Sequence, residues 1–133
     1  MNIEDINKIV GDNYIVHFNS SNWGDEFKIM KKDGKAFARA YIYYDDLTTL
    51  LIDCLTVDES IRKQGIGLEL QIIRETIGIY LNAQYSMLWV KRDDWMYDWY
   101  KRRGYIEYHN KNRKDNSVWM RKELNNNINR INN

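Results

Sequence analysis

A glycine-containing loop organises this sequence, and it reads Val57-Asp58-Glu59-Ser60-Ile61-Arg62-Lys63-Gln64-Gly65-Ile66-Gly67. It joins a predicted strand to a predicted helix. The first amides of a helix lack partners and lie at the positive end of its dipole, so the amides from Gln64 to Gly67 can hold a pyrophosphate. The simpler alternative is a tight turn with solvated Arg62 and Lys63. No Lys and Ser or Thr follow Gly67 as in a GxxxxGK[ST] loop, which disfavours a nucleotidase.

The segment after the loop has the period of a helix. Its apolar residues recur at spacings of three and four, and they are Ile66, Leu70, Ile73, Ile77 and Tyr80. We expect three charged residues of the same segment to point away from this apolar face, namely Glu69, Arg74 and Glu75.

The segments before the loop have the composition of strands. They are rich in β-branched and aromatic residues, and Asp33-Gly34 between two of them is a hairpin signal. The predicted strands are residues 14–18, 26–32, 35–44 and 47–57. Together they predict a largely antiparallel meander.

The outer parts of the chain complete the order of elements. We predict a helix over 3–10 that ends at Gly11, a buried strand over 85–90 and a helix over 95–103 that begins at Asp93 or Asp94 and is capped by Gly104. A closing hairpin is expected from 105–109 and 117–121, around the loop 110–116. The predicted fold class is α+β with a mixed sheet, in one domain over 1–122 followed by a polar, Asn-rich tail over 123–133.

Composition limits the function classes. A chain of 133 residues fits one domain, and 20 Lys plus Arg against 19 Asp plus Glu give no overall field for DNA or an anionic membrane. The single cysteine, Cys54, excludes an internal disulfide and a Cys-based zinc site, and His17 and His109 are isolated, so no metal site is expected. The apolar runs are too short to cross a bilayer and the first residues are too polar for a secretory signal, so we expect a cytoplasmic protein.

With these elements in place, the sequence resembles the GCN5-related N-acetyltransferase (GNAT) family. The family's pyrophosphate loop reads Val-x-Pro-x-x-Arg-x-x-Gly-x-Gly, and this chain matches it with Val57, Arg62, Gly65 and Gly67. Glu59 stands where the family has proline. The resemblance covers about residues 25–122, and it implies that the central strands beside the loop are splayed.

A second family motif follows about thirty residues later. It is an aromatic residue, a tyrosine, three residues, a glycine and an aromatic residue, and the chain has Trp99, Tyr100, Gly104 and Tyr105 at these places. The family usually inserts two helices between its first two strands to shape the acceptor site. Here only 19–25 separate them, so the resemblance implies an acceptor lid that is shortened or replaced by the 3–10 helix.

The resemblance also implies where acetyl-CoA binds. Pantetheine would bond to the opened backbone edge of the strand before the loop, the pyrophosphate would lie on the loop amides, and basic side chains would meet the phosphates. These cofactor-binding residues are Leu55, Thr56, Val57, Arg62, Lys63, Gln64, Gly65, Ile66, Gly67, Tyr100 and Arg103. Acetyl transfer requires no metal.

Two residues are candidates for proton transfer. Tyr100 matches the position at which many family members place a general acid, and its alternative is an aromatic ring packed in the core. The family's glutamate base corresponds to Leu51, and Asp53 is the nearest carboxylate on the same face if the strand alternates regularly through Leu55. Asp53 is equally well explained as a polar residue that satisfies a neighbouring group.

The sequence leaves several functions and partners open. The resemblance implies transfer of an acetyl group to a primary amine, and a short lid slightly favours a protein or peptide amine over a small molecule. One alternative is a degenerate relative that binds acyl-CoA without turnover. Another is nucleic-acid binding by the basic and aromatic residues of 95–114, which the nearly neutral charge disfavours. Catalysis by Cys54 is disfavoured because no histidine is near it in sequence. A homodimer stays open.

Overall fold

The computed structural model describes residues 1–108 and 116–124. Its helices and strands are α1 (Ile3–Val10), β1 (Tyr14–Ser20), β2 (Gly24–Lys31), β3 (Ala36–Tyr43), β4 (Asp46–Val57), α2 (Ile66–Tyr80), β5 (Tyr85–Lys91), α3 (Trp95–Arg102), β6 (Ile106–Glu107) and β7 (Ser117–Glu123), with one 3-10 turn at Glu59–Ile61 between β4 and α2. The predicted α+β class and the predicted order of elements are confirmed.

The strands form one seven-stranded mixed sheet in the order β1-β2-β3-β4-β5-β7-β6. Every neighbouring pair is antiparallel except β4 and β5, which are parallel. The Asp-Gly turn predicted between β2 and β3 is present, since the Gly34 amide donates to the Lys31 carbonyl at 2.8 Å. β7 runs to Glu123 and Leu124 is buried, so packing continues past the predicted boundary at residue 122.

Two predicted regions fall outside the described residues. They are most of the loop between the last two strands, including His109, and the Asn-rich tail from residue 125 onward. Among the described residues, no helix is long and apolar enough to span a membrane.

All three helices pack on one face of the sheet, which we call the helix face. Alternate residues of β3 point to this face, namely Ala36, Ala38 and Ala40, and the small side chains of Ala36 and Ala38 pack with α2. The apolar stripe of α2 packs there with Ile6 of α1. The other face, which we call the open face, carries charged and aromatic side chains, and no helix in the described parts of the chain covers it.

The N-terminal region clarifies the question of the acceptor lid. β1 and β2 form a hairpin paired from Tyr14 with Lys31 to Ser20 with Asp25, so no helices are inserted between them. The predicted 3–10 helix, α1, packs beside α2 on the helix face. The reason is its own apolar side, since Ile6 and Val10 can be buried only against the existing core.

Candidate active site

β4 contains a β-bulge near its end. Phe37 of β3 pairs with Thr56 and Arg39 pairs with Asp53, so two steps on β3 oppose three on β4. Cys54 at this point has a left-handed backbone with φ +52°.

The bulge changes which side chains share a face. Before it, Ile52 points into the core under the helices, and after it Leu55 and Val57 do so. The predicted regular alternation is therefore wrong, and Asp53 lies on the open face while Leu55 and Val57 do not.

β4 and β5 separate beyond a short paired segment. They pair only at Thr49 with Tyr85, Leu50 with Ser86 and Leu51 with Met87. Beyond these pairs lies a cavity of about 410 Å³, which we call the cleft. Its lining is 52–55 of β4, 88–91 of β5, and Asp94, Met96, Tyr100 and Ser117. The backbone of β4 along the cleft lacks a strand partner on that side, which leaves polar groups for a ligand.

The glycine-containing loop lies at the end of the same strand. Gly65 precedes α2 with φ +81°, a conformation that favours glycine, and the side chain of Arg62 donates to the Val57 carbonyl at 3.1 Å. Within the described residues, the amides of 63–68 are not among the hydrogen-bond donors. A β-carbon at Gly67 would lie 3.9 Å from both Val57 and Trp99, so this turn, the end of β4 and α3 meet at Gly67.

Tyr100 lies on the wall of the cleft. Only 3% of it is exposed, and its ring makes edge contacts with the rings of Trp99 and Tyr105. Its hydroxyl oxygen accepts a hydrogen bond from Arg74 Nη2 at 2.8 Å. No residue in the described ranges accepts a hydrogen bond from this hydroxyl.

Arg74 is a buried residue that the sequence analysis placed wrongly. It was expected to point away from the apolar face of α2, yet it is fully buried. Its Nη1 donates to the carbonyls of Arg39 at 3.2 Å and Asp53 at 2.9 Å, and its Nη2 donates to Gln71 and Tyr100. The guanidinium therefore ties α2 to the bulge of β4 and to the Tyr100 hydroxyl. Its position three residues before Ile77 was the available signal, because that spacing lies on the apolar face.

Asp53 forms an ion pair with Arg39 on the open face. Nε of Arg39 donates to one carboxylate oxygen at 2.7 Å and Nη2 donates to the other. This pairing raises the pKa of Arg39. Asp53 thus lines the cleft, with both of its oxygens already accepting hydrogen bonds. Sequence reasoning missed Arg39, whose partner is fixed by the register of β3 and β4.

Solved structures share this architecture. A GNAT family acetyltransferase from Elizabethkingia anophelis, solved with acetyl-CoA bound, matches at a TM-score of 0.61 and 14% identity over 86% of this chain and 100% of that chain. An acetyltransferase from Bacillus cereus matches at 0.57 and 20% identity over 92% and 82%. The PaiA N-acetyltransferase from Thermoplasma acidophilum, in complex with coenzyme A, matches at 0.60 and 15% identity over 74% and 59%.

This chain has the GNAT fold. The resemblance stated from the sequence is confirmed at the level of the fold, which is what similarity at these identities establishes. No protein-family model matches the sequence, and no curated protein matches it.

The residues predicted to bind the cofactor differ in what they expose in this GNAT fold. Thr56 is exposed near the end of β4, and the side chains of Leu55 and Val57 pack against the core, so the backbone is what they offer. The side chains of Arg62, Lys63 and Gln64 are exposed at the turn. Ile66 is a core residue by its side chain, and only its amide belongs to the turn.

Arg103 reaches the same region through Trp99. Its guanidinium lies 3.9 Å from the centre of the Trp99 ring and donates to the Trp99 carbonyl at 3.0 Å. Partial burial lowers the pKa of Arg103, and its buried Nε has no partner among the described residues. Arg103 therefore packs on Trp99, whose ring also lies near Gly67 of the GNAT fold.

The structure gives less support to the other functions that the sequence left open, namely catalysis by Cys54 and nucleic-acid binding. Desolvation and the nearby Asp53 carboxylate raise the pKa of Cys54, which favours a thiol over a reactive thiolate. In the described part of 95–114, Tyr100 and Tyr105 are buried and cannot stack on bases, although Trp95 is exposed. The described residues contain no group of three metal-ligating side chains.

Proposed function

We propose that this protein is an acetyl-CoA-dependent N-acetyltransferase that moves the acetyl group directly to a primary amine. The observation that carries the proposal is the continuity of three features. The cleft is lined by β4 as far as Leu55, Val57 two residues later borders Gly67, and Gly67 lies in the first turn of a helix whose first amides have no partners among the described residues. A long ligand with an acyl end and a pyrophosphate fits this order of features.

The cofactor would be held mainly by backbone groups. Pantetheine amides would bond to the free edge of β4 around 55–57, and the pyrophosphate would lie on the amides from Gln64 to Gly67. Arg62 and Lys63 would add positive charge, and Arg103 would meet the adenosine 3′-phosphate. The resemblance to GNAT enzymes and the acetyl-CoA or coenzyme A bound in two similar structures support this arrangement.

The side chains at the cleft would handle the protons. A neutral amine attacks the thioester carbon, the new C–N bond forms, and the C–S bond breaks. The departing thiolate takes the hydroxyl proton of Tyr100, and the amine nitrogen loses one proton to water or to a base. Arg74 already donates to the Tyr100 oxygen, so it would stabilise the tyrosinate until solvent returns the proton.

The acceptor would approach from the open face. Asp53 marks the side of the cleft that no described helix covers, and the hairpin between β1 and β2 is too short to form a lid. An uncovered surface leaves room for a large acceptor. We therefore keep a slight preference for a protein or peptide amine.

One observation favours a second candidate function, acyl-CoA binding without turnover. Both oxygens of Asp53 accept hydrogen bonds from Arg39. The other carboxylate of the described cleft lining, Asp94, accepts a hydrogen bond as the N-cap of α3. Neither carboxylate is therefore a ready base. Calorimetric titration with acetyl-CoA, followed by mass spectrometry of an amine and peptide panel, separates the candidates. Transfer requires binding and an acetylated product. Binding without product or release of coenzyme A supports the second candidate, and absence of binding excludes both.

The Asp53→Asn variant tests the general base. If Asp53 accepts the amine proton through water, turnover at neutral pH falls on the order of 10²-fold and recovers partly at high pH, where the amine is already neutral. The acetyl-CoA affinity should change little, because the asparagine keeps the shape of the side chain. The variant Asp53→Asn with Arg39→Gln is the matched control for the unpaired guanidinium. An unchanged pH–rate profile in both variants assigns deprotonation to solvent.

A further inference from the structure

A second cavity lies on the open face and is lined by three aromatic and two charged side chains. It has a volume of about 200 Å³, and its lining is Trp23, Glu26, Arg39, Tyr41 and Tyr43. The three rings contact each other, with centre-to-centre distances of 5.2 Å for Trp23 and Tyr43, 5.7 Å for Tyr41 and Tyr43, and 6.2 Å for Trp23 and Tyr41. We call this space the aromatic cavity.

Glu26 is the carboxylate of the aromatic cavity, and its two ion pairs, with Lys28 and Arg39, are long. Its side chain is only 16% exposed, and the nearest cationic nitrogens, on Lys28 and Arg39, are both 3.6 Å from its oxygens. It accepts no hydrogen bond from any residue in 1–108 or 116–124. A carboxylate that has lost most of its water without gaining hydrogen bonds favours a ligand that donates them.

Arg39 is not free to bind an anionic ligand. Its Nε and Nη2 donate to Asp53, its Nη1 lies 3.6 Å from Glu26, and its guanidinium lies 5.4 Å from the centre of the Tyr41 ring, which therefore already faces a cation. The groups left to a ligand are therefore the Glu26 carboxylate, which Lys28 and Arg39 approach only to 3.6 Å, and the rings of Trp23 and Tyr43. Both attract cations, and an alkylammonium can also lay its methylene groups on the rings.

The aromatic cavity is next to the cleft. Arg39 lines the cavity, Asp53 lines the cleft, and the two side chains are bonded to each other. One ion pair thus separates a ligand in the cavity from the place where the acceptor amine would react. We propose that the aromatic cavity binds a second ammonium group of the acceptor, so that the substrate is an alkyl diammonium compound, free or as lysine side chains. This inference rests on the proposed acetyl transfer.

The first experiment compares three probes in binding and in turnover. They are 1,5-diaminopentane with two positive charges, pentylamine with one, and glutarate with two negative charges. We expect 1,5-diaminopentane to bind by calorimetry and to have a KM about tenfold or more below that of pentylamine, and glutarate not to bind. A lysyl-lysine peptide in the same assay shows whether the free or the peptide-borne form is preferred.

Two variants test the assignment to the cavity. Glu26→Gln and Trp23→Ala should raise the KM for 1,5-diaminopentane to that of pentylamine, with kcat and acetyl-CoA affinity unchanged. Trp23 is in a surface hairpin, so its variant keeps the test valid if Glu26→Gln weakens the fold. Glu4→Gln on α1 is the matched carboxylate control. Equal KM values for the two amines in the unmodified protein, or variants without effect, overturn the inference.

Binding of 1,5-diaminopentane is measured without acetyl-CoA, so it is independent of the proposed transfer reaction. If acetyl-CoA does not bind but the diamine does, and Glu26→Gln removes that binding, the proposed function fails and the cavity assignment stands. If acetyl groups are transferred but both amines behave alike, the cavity assignment fails alone.

Discussion

Replacing Gly67 with glutamate is expected to abolish acetyl-CoA binding while leaving the protein folded. The new side chain would start beside Val57 and Trp99, at the helix end where the unpartnered amides lie. Its carboxylate would take the place of the pyrophosphate and repel it. Calorimetry should show no binding heat, and thermal unfolding should show a transition close to that of the unmodified protein.

The control for this variant is Gly67→Ala. A β-carbon at this position makes ordinary contacts at 3.9 Å, and the backbone there needs no left-handed conformation, so alanine should keep the fold and most of the affinity. Comparing Gly67→Glu with Gly67→Ala separates the effect of the carboxylate from the effect of losing glycine. A folded Gly67→Glu variant that binds acetyl-CoA normally contradicts the placement of the pyrophosphate.

Replacing Tyr100 with phenylalanine is expected to lower turnover about 10²-fold or more and to change acetyl-CoA affinity little. The ring, which packs against Trp99 and Tyr105, is retained, and only the proton donor is removed. The change leaves one buried N–H of Arg74 without its acceptor, which costs about 1–3 kcal/mol of folding free energy. Single-turnover rates, KM and thermal unfolding measure these effects separately.

Arg74 provides the control for the role of Tyr100. If Arg74 acts by stabilising the tyrosinate, Arg74→Lys lowers turnover in the unmodified protein but has almost no further effect on turnover in Tyr100→Phe. Equal effects in both backgrounds would give Arg74 a structural role alone. Undiminished turnover of Tyr100→Phe at all pH values would leave the thiolate to be protonated by water.

Much of the fold could be predicted because the signals are local. The period of three and four after Ile66 identified α2, the Asp-Gly pair identified a hairpin, and Asp94 caps α3 as expected. These elements depend on residues close in sequence, and their propensities agree with the tertiary structure. The loop around Gly65 was found for the same reason, since its left-handed backbone favours glycine.

The candidate site was less accessible because it depends on long-range register. The bulge at Cys54 is set by how β4 pairs with β3, and no residue type near Cys54 announces it. One extra residue in the strand moved Asp53 away from the face of Leu55. The Arg39 partner and the buried Arg74 follow from the same geometry, in which a guanidinium supplies donors to carbonyls that the distorted strand leaves unpaired.

The three-residue contact between β4 and β5 also bears on how the chain folds. Pairing of β4 with β5 closes a loop that contains all of α2. This is the longest loop between neighbouring strands of the sheet, and the closure of such a loop is slow. β1 to β4 can instead form as successive hairpins, and β5, β6 and β7 as a second unit. α2, whose side chains contact residues of both units, supplies the docking surface between them. The cleft between β4 and β5 therefore limits this slow parallel pairing to three residues of each strand.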